Sequence, residues 1–421
     1  MERTELMPRM PRDSLLDSTL ALYQDPYRFI MQRCRRFGSD LFEARLLLGK
    51  TICMTGPAAA RLFYDADRFM RLGAMPEPIM STLIGHGGVQ GLDDEAHRHR
   101  KHIFLSLMLP GRFEGLLERL AAQWNASIED WAKQQEVTLY FGLHDLLARG
   151  VCAWVGVPLE GRDAPMRIRE IVALFDHAGS AGIRHLWSRF SRKRAERWMA
   201  GIVADIRSGT LRPPEESIVC AIARHRDLDG QLLPPRVAAV ELLNVIRPVV
   251  AVSVYILFIA HALHENPVVR ETLRSAAPEY KDAFVQEVRR YYPFFPAVAA
   301  RARHAFKWRG YRFPAGRRVI LDLHGTNHDP RTWERPDDFE PARFLQSDGD
   351  LFNLIPQGGG HHASGHRCAG EWITLAIMKQ GLDMLVHRIR YDVPEQDLRI
   401  DWSRLPALPR SRFVVRNVRP A

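Results

Sequence analysis

The sequence predicts a mainly α-helical fold with a small β-sheet region, carried by residues 1–421 as a single large domain. Three observations predict it. Apolar residues recur at helical spacing over Arg112 to Trp131, Val237 to Leu263, Lys281 to Tyr292 and Glu371 to Arg388. Around Phe306 to Leu323 the pattern changes to alternation. No internal repeat or low-complexity linker separates the helices on either side of that β-region, so one domain accounts for the chain better than several.

Taken in order, Arg112 to Trp131 repeats its apolar positions every three to four residues, as a helix with one buried face does. Val237 to Leu263 follows the same period and contains Arg247-Pro248 amid Val245, Ile246, Val249 and Val250. Proline has no N–H for the helical ladder, so the sequence predicts a kink at Pro248 that frees space and polar groups beside Arg247. In Lys281 to Tyr292, Glu287 and Arg290 lie three residues apart on one face, able to pair; taken alone, such a pair is usually a surface feature. Phe306, Trp308, Tyr311, Phe313, Val319 and Leu321 alternate between turn signals at Gly310 and Pro314-Ala315-Gly316, which predicts short strands. Glu371 to Arg388 resumes the helical period directly after a glycine-rich loop.

Composition bounds the function. At 46% hydrophobic and 26% charged residues, the chain has material for a large core and is not of disordered composition. The opening Met1 to Asp13 carries charges and prolines where a secretion signal needs an apolar run. The longest apolar stretch, Pro248 to Ala260, is shorter than the roughly 20 residues of a spanning helix. A cytoplasmic protein without a membrane span is expected. The net charge of +10 is spread along the chain without aromatic-spaced arrays, which speaks against nucleic acid as partner. The densest basic run, Arg189 to Arg197, reads as a solvated helix face.

Five cysteines, an odd number with no CxxC pair, do not form a disulfide framework. One of them, Cys368, sits in Gln357-Gly-Gly-Gly-His-His-Ala-Ser-Gly-His-Arg-Cys-Ala-Gly370, just before the helix beginning at Glu371. Backbone N–H groups at a helix N-terminus favour a thiolate, a soft anionic metal ligand. Gly365 and Gly370 would let the backbone approach a flat macrocycle, and His366 and Arg367 are placed to meet its acidic groups. A buried structural cysteine is the plain alternative. Zinc held by His361, His362, His366 and Cys368 is disfavoured, because the usual separated ligand pairs are missing.

The loop Gly365-His-Arg-Cys-Ala-Gly370 resembles the haem loop of the cytochrome P-450 superfamily. Three further segments match in order: Glu287-Val-Arg-Arg290 its Glu-x-x-Arg motif, Pro341-Ala-Arg-Phe344 its Pro-x-Arg-Phe segment, and Phe306 to Val319 its central hairpin. The resemblance implies a haem-thiolate enzyme with haem b (iron protoporphyrin IX) ligated by Cys368. It also implies a structural triad of Glu287, Arg290 and Arg343, and an N-terminal tail followed by a first helix and strands.

Two departures narrow the family. The loop carries extra residues and opens with Pro356-Gln357-Gly-Gly-Gly, and the long central helix has Arg247-Pro248 where the acid and threonine that relay protons to dioxygen are ordinarily found. Arginine is seldom buried without a partner, so Arg247 is met either by a distant acid or by a ligand. Arg-Pro here is similar to the fatty-acid peroxygenase branch, where this arginine binds the substrate carboxylate and hydrogen peroxide replaces dioxygen and electrons. The segments Phe69 to Pro76 and Gly85 to Met108 are similar to that branch too. By that match Arg71, His97 and Lys101 contact haem propionates, and Gln90 stands over the distal face. Read without the match, the basic cluster around His97 is a solvated surface. Gln90 where decarboxylating relatives have histidine implies hydroxylation, at the α or β carbon. Ile84 where some relatives have phenylalanine implies a different seat for the chain, with α favoured. The implied partner is a long-chain fatty acid, with no redox protein. The competing activities are a redox-partner-dependent monooxygenase, a fatty-acid decarboxylase, and a haem sensor or lipid-binding protein without turnover.

Overall fold

The computed structural model describes residues 9–108, 111–347 and 349–421. The expectation drawn from the first residues of the chain therefore lies partly outside the described residues. The backbone forms two compact units, each discontinuous in sequence: residues 1–76, 295–338 and 349–367 in one, and 77–294, 339–348 and 368–421 in the other.

The first unit is built on a five-stranded sheet in the order Leu41–Leu46, Gly49–Met54, Arg318–Asp322, Ala297–Ala302, Phe69–Met70. Its first two strands form an antiparallel hairpin, and Gly49–Met54 then runs parallel to Arg318–Asp322. The alternation of the β-region is explained here. Phe306–Trp308 and Tyr311–Phe313 pair as a separate hairpin, turning through Arg309 and Gly310, both at positive φ. Phe306 stacks on Phe313 with ring centroids 4.7 Å apart, while Val319 and Leu321 are fully buried with Ile52, Phe63 and Ile355.

The second unit is helical. The first sequence-predicted helix is Glu114–Trp131, whose Leu116, Leu120, Trp124, Ile128 and Trp131 are all buried at helical spacing. The central apolar segment differs from expectation. It forms two helices, Pro235–Ala251 and Ser253–Glu265, interrupted at Val252 rather than at Pro248, which lies inside the first. A proline that keeps its helical φ can stay in the ladder; the bond it removes is the one to the Asn244 carbonyl. Across Pro235–Glu265 the 31 residues are apolar and long enough to cross a membrane, longer than the stretch read from sequence. But 94% of the most apolar window is buried inside the protein, as in a core helix.

The other helices start or end off their predicted limits. The helix carrying Glu287 is Pro278–Tyr291, opened by a proline in its first turn. The one after Cys368 is Glu371–Asp383, continued by a π-helical turn, Met384–Arg388. A three-stranded sheet of Glu136–Thr138, Val414–Pro420 and Ile389–Asp392 has strands too short and too far apart in sequence to show a periodic signal.

Candidate active site

Cys368 lies two residues before Gly370, the N-cap of the Glu371–Asp383 helix. Of the five cysteines, four are buried and Cys368 alone is partly exposed. The expected helix-terminus effect is present but does not win. Burial pushes the Cys368 thiol up and Glu371 adds to it, while the Gly370 N–H, Lys101 and Arg289 pull down. Desolvation of an anion outweighs one backbone N–H and two cations acting through charge alone. A cation bound directly to the sulfur would reverse this balance.

Glu371 is itself buried and ion-paired with Arg289 from the Pro278–Tyr291 helix. That pair, missed in the sequence, ties the helix behind Cys368 to the helix of the triad. Glu287, Arg290 and Arg343 are brought together. Glu287 accepts from Arg290 Nε at 2.6 Å and Nη2 at 2.8 Å, from Arg343 Nε at 3.2 Å and from the Glu340 N–H at 2.8 Å. Glu287 and Arg290 are fully buried, so the surface-pair reading fails.

On the central helix every residue from Ala238 to Ala251 is buried except Pro248, whose ring protein atoms do not cover. Arg247 beside it is 8% exposed. Its Nη1 donates to the Leu83 carbonyl and its Nη2 lies 3.5 Å from Asn244 Oδ1, while its Nε has no hydrogen-bond partner. Among the described residues no carboxylate pairs with it, which removes the distant-acid alternative. Burial, with Arg192 adding to it, lowers its pKa to about 9, and the charge of Cys368 works the other way. The guanidinium is therefore a buried cation within electrostatic reach of the Cys368 sulfur, with one N–H unused.

Around Arg247 the structure assembles residues that no local pattern marked. Asn244 Nδ2 donates to Gln90 Oε1 at 3.1 Å and to Glu241 Oε2 at 2.8 Å. Glu241, fully buried, accepts from Arg100 Nη1 at 2.9 Å, and Arg100 also holds Asp227. Gln90 sits in a 3-10 turn, Val89–Gly91, and Ile84 ends a π-helical turn, Met80–Ile84. The carbonyls of that turn are bound by Arg192, to Leu83 at 3.3 Å and to Ile84 at 3.2 Å. Arg192 is 2% exposed and paired with Glu196 at 2.7 Å. The basic run 189–197 is thus not a uniformly solvated face: its inner side carries the arginine that shapes the turn next to Arg247. The i,i+4 spacing of Arg192 and Glu196 was the available signal.

His97 and Lys101 share one face of the Asp94–Met108 helix, and with Arg100 all three are buried, which overturns the solvated-surface reading. The remaining sequence candidates belong to the other unit. Arg71 donates from Nη1 to the Ala299 carbonyl at 3.1 Å and lies over the Phe63 ring at 4.2 Å. Gly365 is required by its own loop, since a Cβ would meet the His361 carbonyl at 2.9 Å, and His366 follows it. At Gly370 a Cβ would meet only Met108 Sδ, at 3.6 Å, so the protein itself does not demand glycine there.

The chain compares with known proteins as follows. The cytochrome P-450 family profile matches residues 270–412. Among curated relatives, cytochrome P-450 71A8 of Mentha piperita is 29% identical over 140 residues, 32% of this chain and 27% of that protein. Cytochrome P-450 71A2 of Solanum melongena is 34% identical over 89 residues, 20% and 17% of the two chains. The match thus spans about a quarter or less of these curated relatives. Solved structures match almost throughout. Cytochrome P-450SP alpha (CYP152B1), in complex with (R)-ibuprophen, is 54% identical, covers 96% of this chain and 99% of its own, with a TM-score of 0.94. Cytochrome P-450EX alpha (CYP152N1), with myristic acid, is 41% identical over 98% and 100%, with a TM-score of 0.95. A variant of cytochrome P-450 OleT in complex with arachidonic acid is 35% identical over 98% and 99%, with a TM-score of 0.94. With an uncovered Pro248, an unpaired Arg247 and a lone accessible cysteine in this fold, the chain belongs to the cytochrome P-450 family, in its CYP152 peroxygenase group.

Proposed function

We propose that the protein hydroxylates fatty acids with hydrogen peroxide, the substrate carboxylate being held by Arg247. The observation that carries this is Arg247 itself: a buried guanidinium with, among the described residues, no carboxylate partner and an unused Nε–H. A carboxylate fits a guanidinium fork two-pronged, and binding one would satisfy the charge that burial disfavours. The relatives crystallised with myristic and arachidonic acids support an aliphatic acid as occupant.

The residues fit a haem b. Cys368, partly exposed, would ligate the iron. His97, Lys101 and Gly370, in the same unit as Cys368, would hold the macrocycle and its propionates. Pro248, exposed on the otherwise buried central helix, would line the substrate space beside Arg247. When bound, the haem-thiolate centre supplies the oxidising chemistry, with the thiolate favouring O–O cleavage.

The chain's own residues supply position and proton traffic. The net reaction is R–CH2–COOH plus H2O2 giving R–CH(OH)–COOH plus H2O, and O–O cleavage needs a proton moved from one peroxide oxygen to the other. Glu241, the carboxylate of the central helix, is held by Arg100 and Asn244 and does not pair with Arg247, so the substrate carboxylate, fixed by Arg247, carries that task. Asn244 orients Arg247 through Oδ1 and Gln90 through Nδ2. Anchoring the acid by its head would present the α carbon for hydroxylation, and Gln90, where decarboxylating relatives have histidine, favours hydroxylation over decarboxylation. Ile84 leaves room at the head of the chain. Residues 1–421 act as one haem-thiolate enzyme, in the cytoplasm, without a redox partner.

The test is an optical titration of purified protein with a long-chain fatty acid, then peroxide without any reductase, and product analysis. A Soret band and a 2-hydroxy acid formed from peroxide alone are expected. A Soret band with product only when a reductase is added would refute the reading.

A further inference from the structure

Away from the haem side, the Asp94–Met108 helix and the loop after Ile218–Ala223 bring His99, His225 and Asp227 together. One ring nitrogen from each histidine and one carboxylate oxygen all lie within 4.8 Å of one another, and all three residues are half-buried. The loop is rigidly made. Arg226 bridges to Leu232, the Leu233 N–H donates to the His225 carbonyl at 3.2 Å, and the Asp227 N–H donates to the Gln231 carbonyl at 2.9 Å. In this extended segment residues two apart face the same way, so His225 and Asp227 point together toward the helix.

The donor set is prepared for a cation in three respects. His99 has Nε2 2.9 Å from the Arg226 carbonyl; with the proton there, Nδ1 keeps its lone pair. Fixing a metal-binding imidazole through its other nitrogen in this way is usual at metal centres. His225 Nε2 is buried and has no hydrogen-bond partner. The two rings stand 5.0 Å apart beside the Arg100 guanidinium, so both cannot be protonated without repulsion. Finally, Arg100 is shared between Asp227 and the buried Glu241, so the fixed charges of this trio sum to one negative, before any cation is added.

We propose that His99, His225 and Asp227 bind one divalent transition-metal ion of the zinc type, with the remaining positions taken by water. Two imidazoles and a carboxylate suit Zn2+, whose ligand distances of about 2.0–2.2 Å require the donor atoms to close to roughly 3.3 Å of one another, a matter of side-chain rotation. Mg2+ and Ca2+, which take oxygen ligands, are excluded by the same donor set. Neither histidine contacts the residues around Arg247, and Asp227, both of whose carboxylate oxygens accept from Arg100, reaches them only through that arginine.

The experiment is calorimetric titration of chelator-treated, tag-free holoenzyme with Zn2+, on the wild type and on His99→Gln and His225→Ala. Circular dichroism and the Soret band serve as controls for the fold, which these half-exposed side chains should leave unchanged. One Zn2+ per chain with micromolar or tighter affinity is expected, weakened at least tenfold in each variant. Equal Zn2+ binding by wild type and His225→Ala, or none by the wild type, overturns the site. The readout is independent of peroxide and fatty acid, so its failure leaves the hydroxylase reading untouched.

Discussion

Arg247 carries its charge inside the protein with only a backbone carbonyl and an amide oxygen for company. Replacing it with alanine should leave the Soret spectrum as it is and lower peroxide-driven fatty-acid hydroxylation by about a hundredfold or more in kcat/KM, roughly 2.7 kcal/mol of lost transition-state binding. Arg247→Lys should recover only part, because a point charge does not reproduce the two-pronged fork. Glu241 acts one step back. Burial raises its pKa, against the donors Asn244 and Arg100 that favour its charge, and through Asn244 it orients both Gln90 and Arg247. Glu241→Gln should therefore raise KM for the fatty acid several-fold with a smaller change in kcat; an unchanged KM would show that Asn244 holds its place without it. Of these residues Arg247 was legible in the sequence because an arginine in an apolar helix is conspicuous. Asn244 and Glu241 were not, since a polar residue on a helix says nothing by itself about which side chain will face it.

At the scale of elements, the helix that carries Glu287 and the helix that follows Cys368 are locked by buried ion pairs, Glu287 with Arg290 and Arg343, and Arg289 with Glu371. Removing one member of a buried pair strands the other's charge, at a cost of about 3–5 kcal/mol. Glu287→Gln should lower the thermal midpoint markedly and reduce haem loading on expression, and a stability within about 0.5 kcal/mol of wild type would contradict this. The helical periods located these elements well, because a buried face imposes its spacing on the sequence. Their ends moved: Pro278 starts a helix that the apolar pattern alone begins at Lys281, and Val252 rather than Pro248 interrupts the central segment. End positions depend on caps and on neighbours from other elements, which periodicity does not register.

For the molecule as a whole, buried titratable groups set the response of stability to pH. His144 packs against Tyr140 at 4.1 Å and burial lowers its pKa to about 4, with Arg404 and Arg412 adding to this and Asp176 opposing it. The unfolded chain takes up that proton near the ordinary imidazole value of about 6.5 while the folded one does not, so this residue drains stability as pH falls from about 6.5 towards 4. Asp322 works in the other direction. Its carboxyl is raised to about 7 by burial, against hydrogen bonds from Gly325 and Met31, so the folded state gains a proton first as pH falls and is favoured by it. On going from pH 7 to pH 5 the denaturant midpoint of His144→Gln should thus move upward relative to that of wild type, because Asp322 is then unopposed. An equal pH dependence in the two proteins would remove His144 from the account.

What the sequence determined by itself is what lies in contiguous stretches: the helical periods, the alternating hairpin, the glycine-rich loop around Cys368, the Glu287–Arg290 spacing and the Arg247-Pro248 pair. Each is a local pattern, written by the requirement that neighbouring residues share one backbone conformation. Only the tertiary structure decided which charges go inside. Arg100 meets Asp227 and Glu241, and Arg192 meets Leu83 and Ile84, across more than a hundred residues of chain. A basic run and a buried cationic framework are the same string of letters until distant partners fold against it. The same long-range burial, rather than the helix terminus beside it, sets the direction in which the Cys368 thiol is pushed.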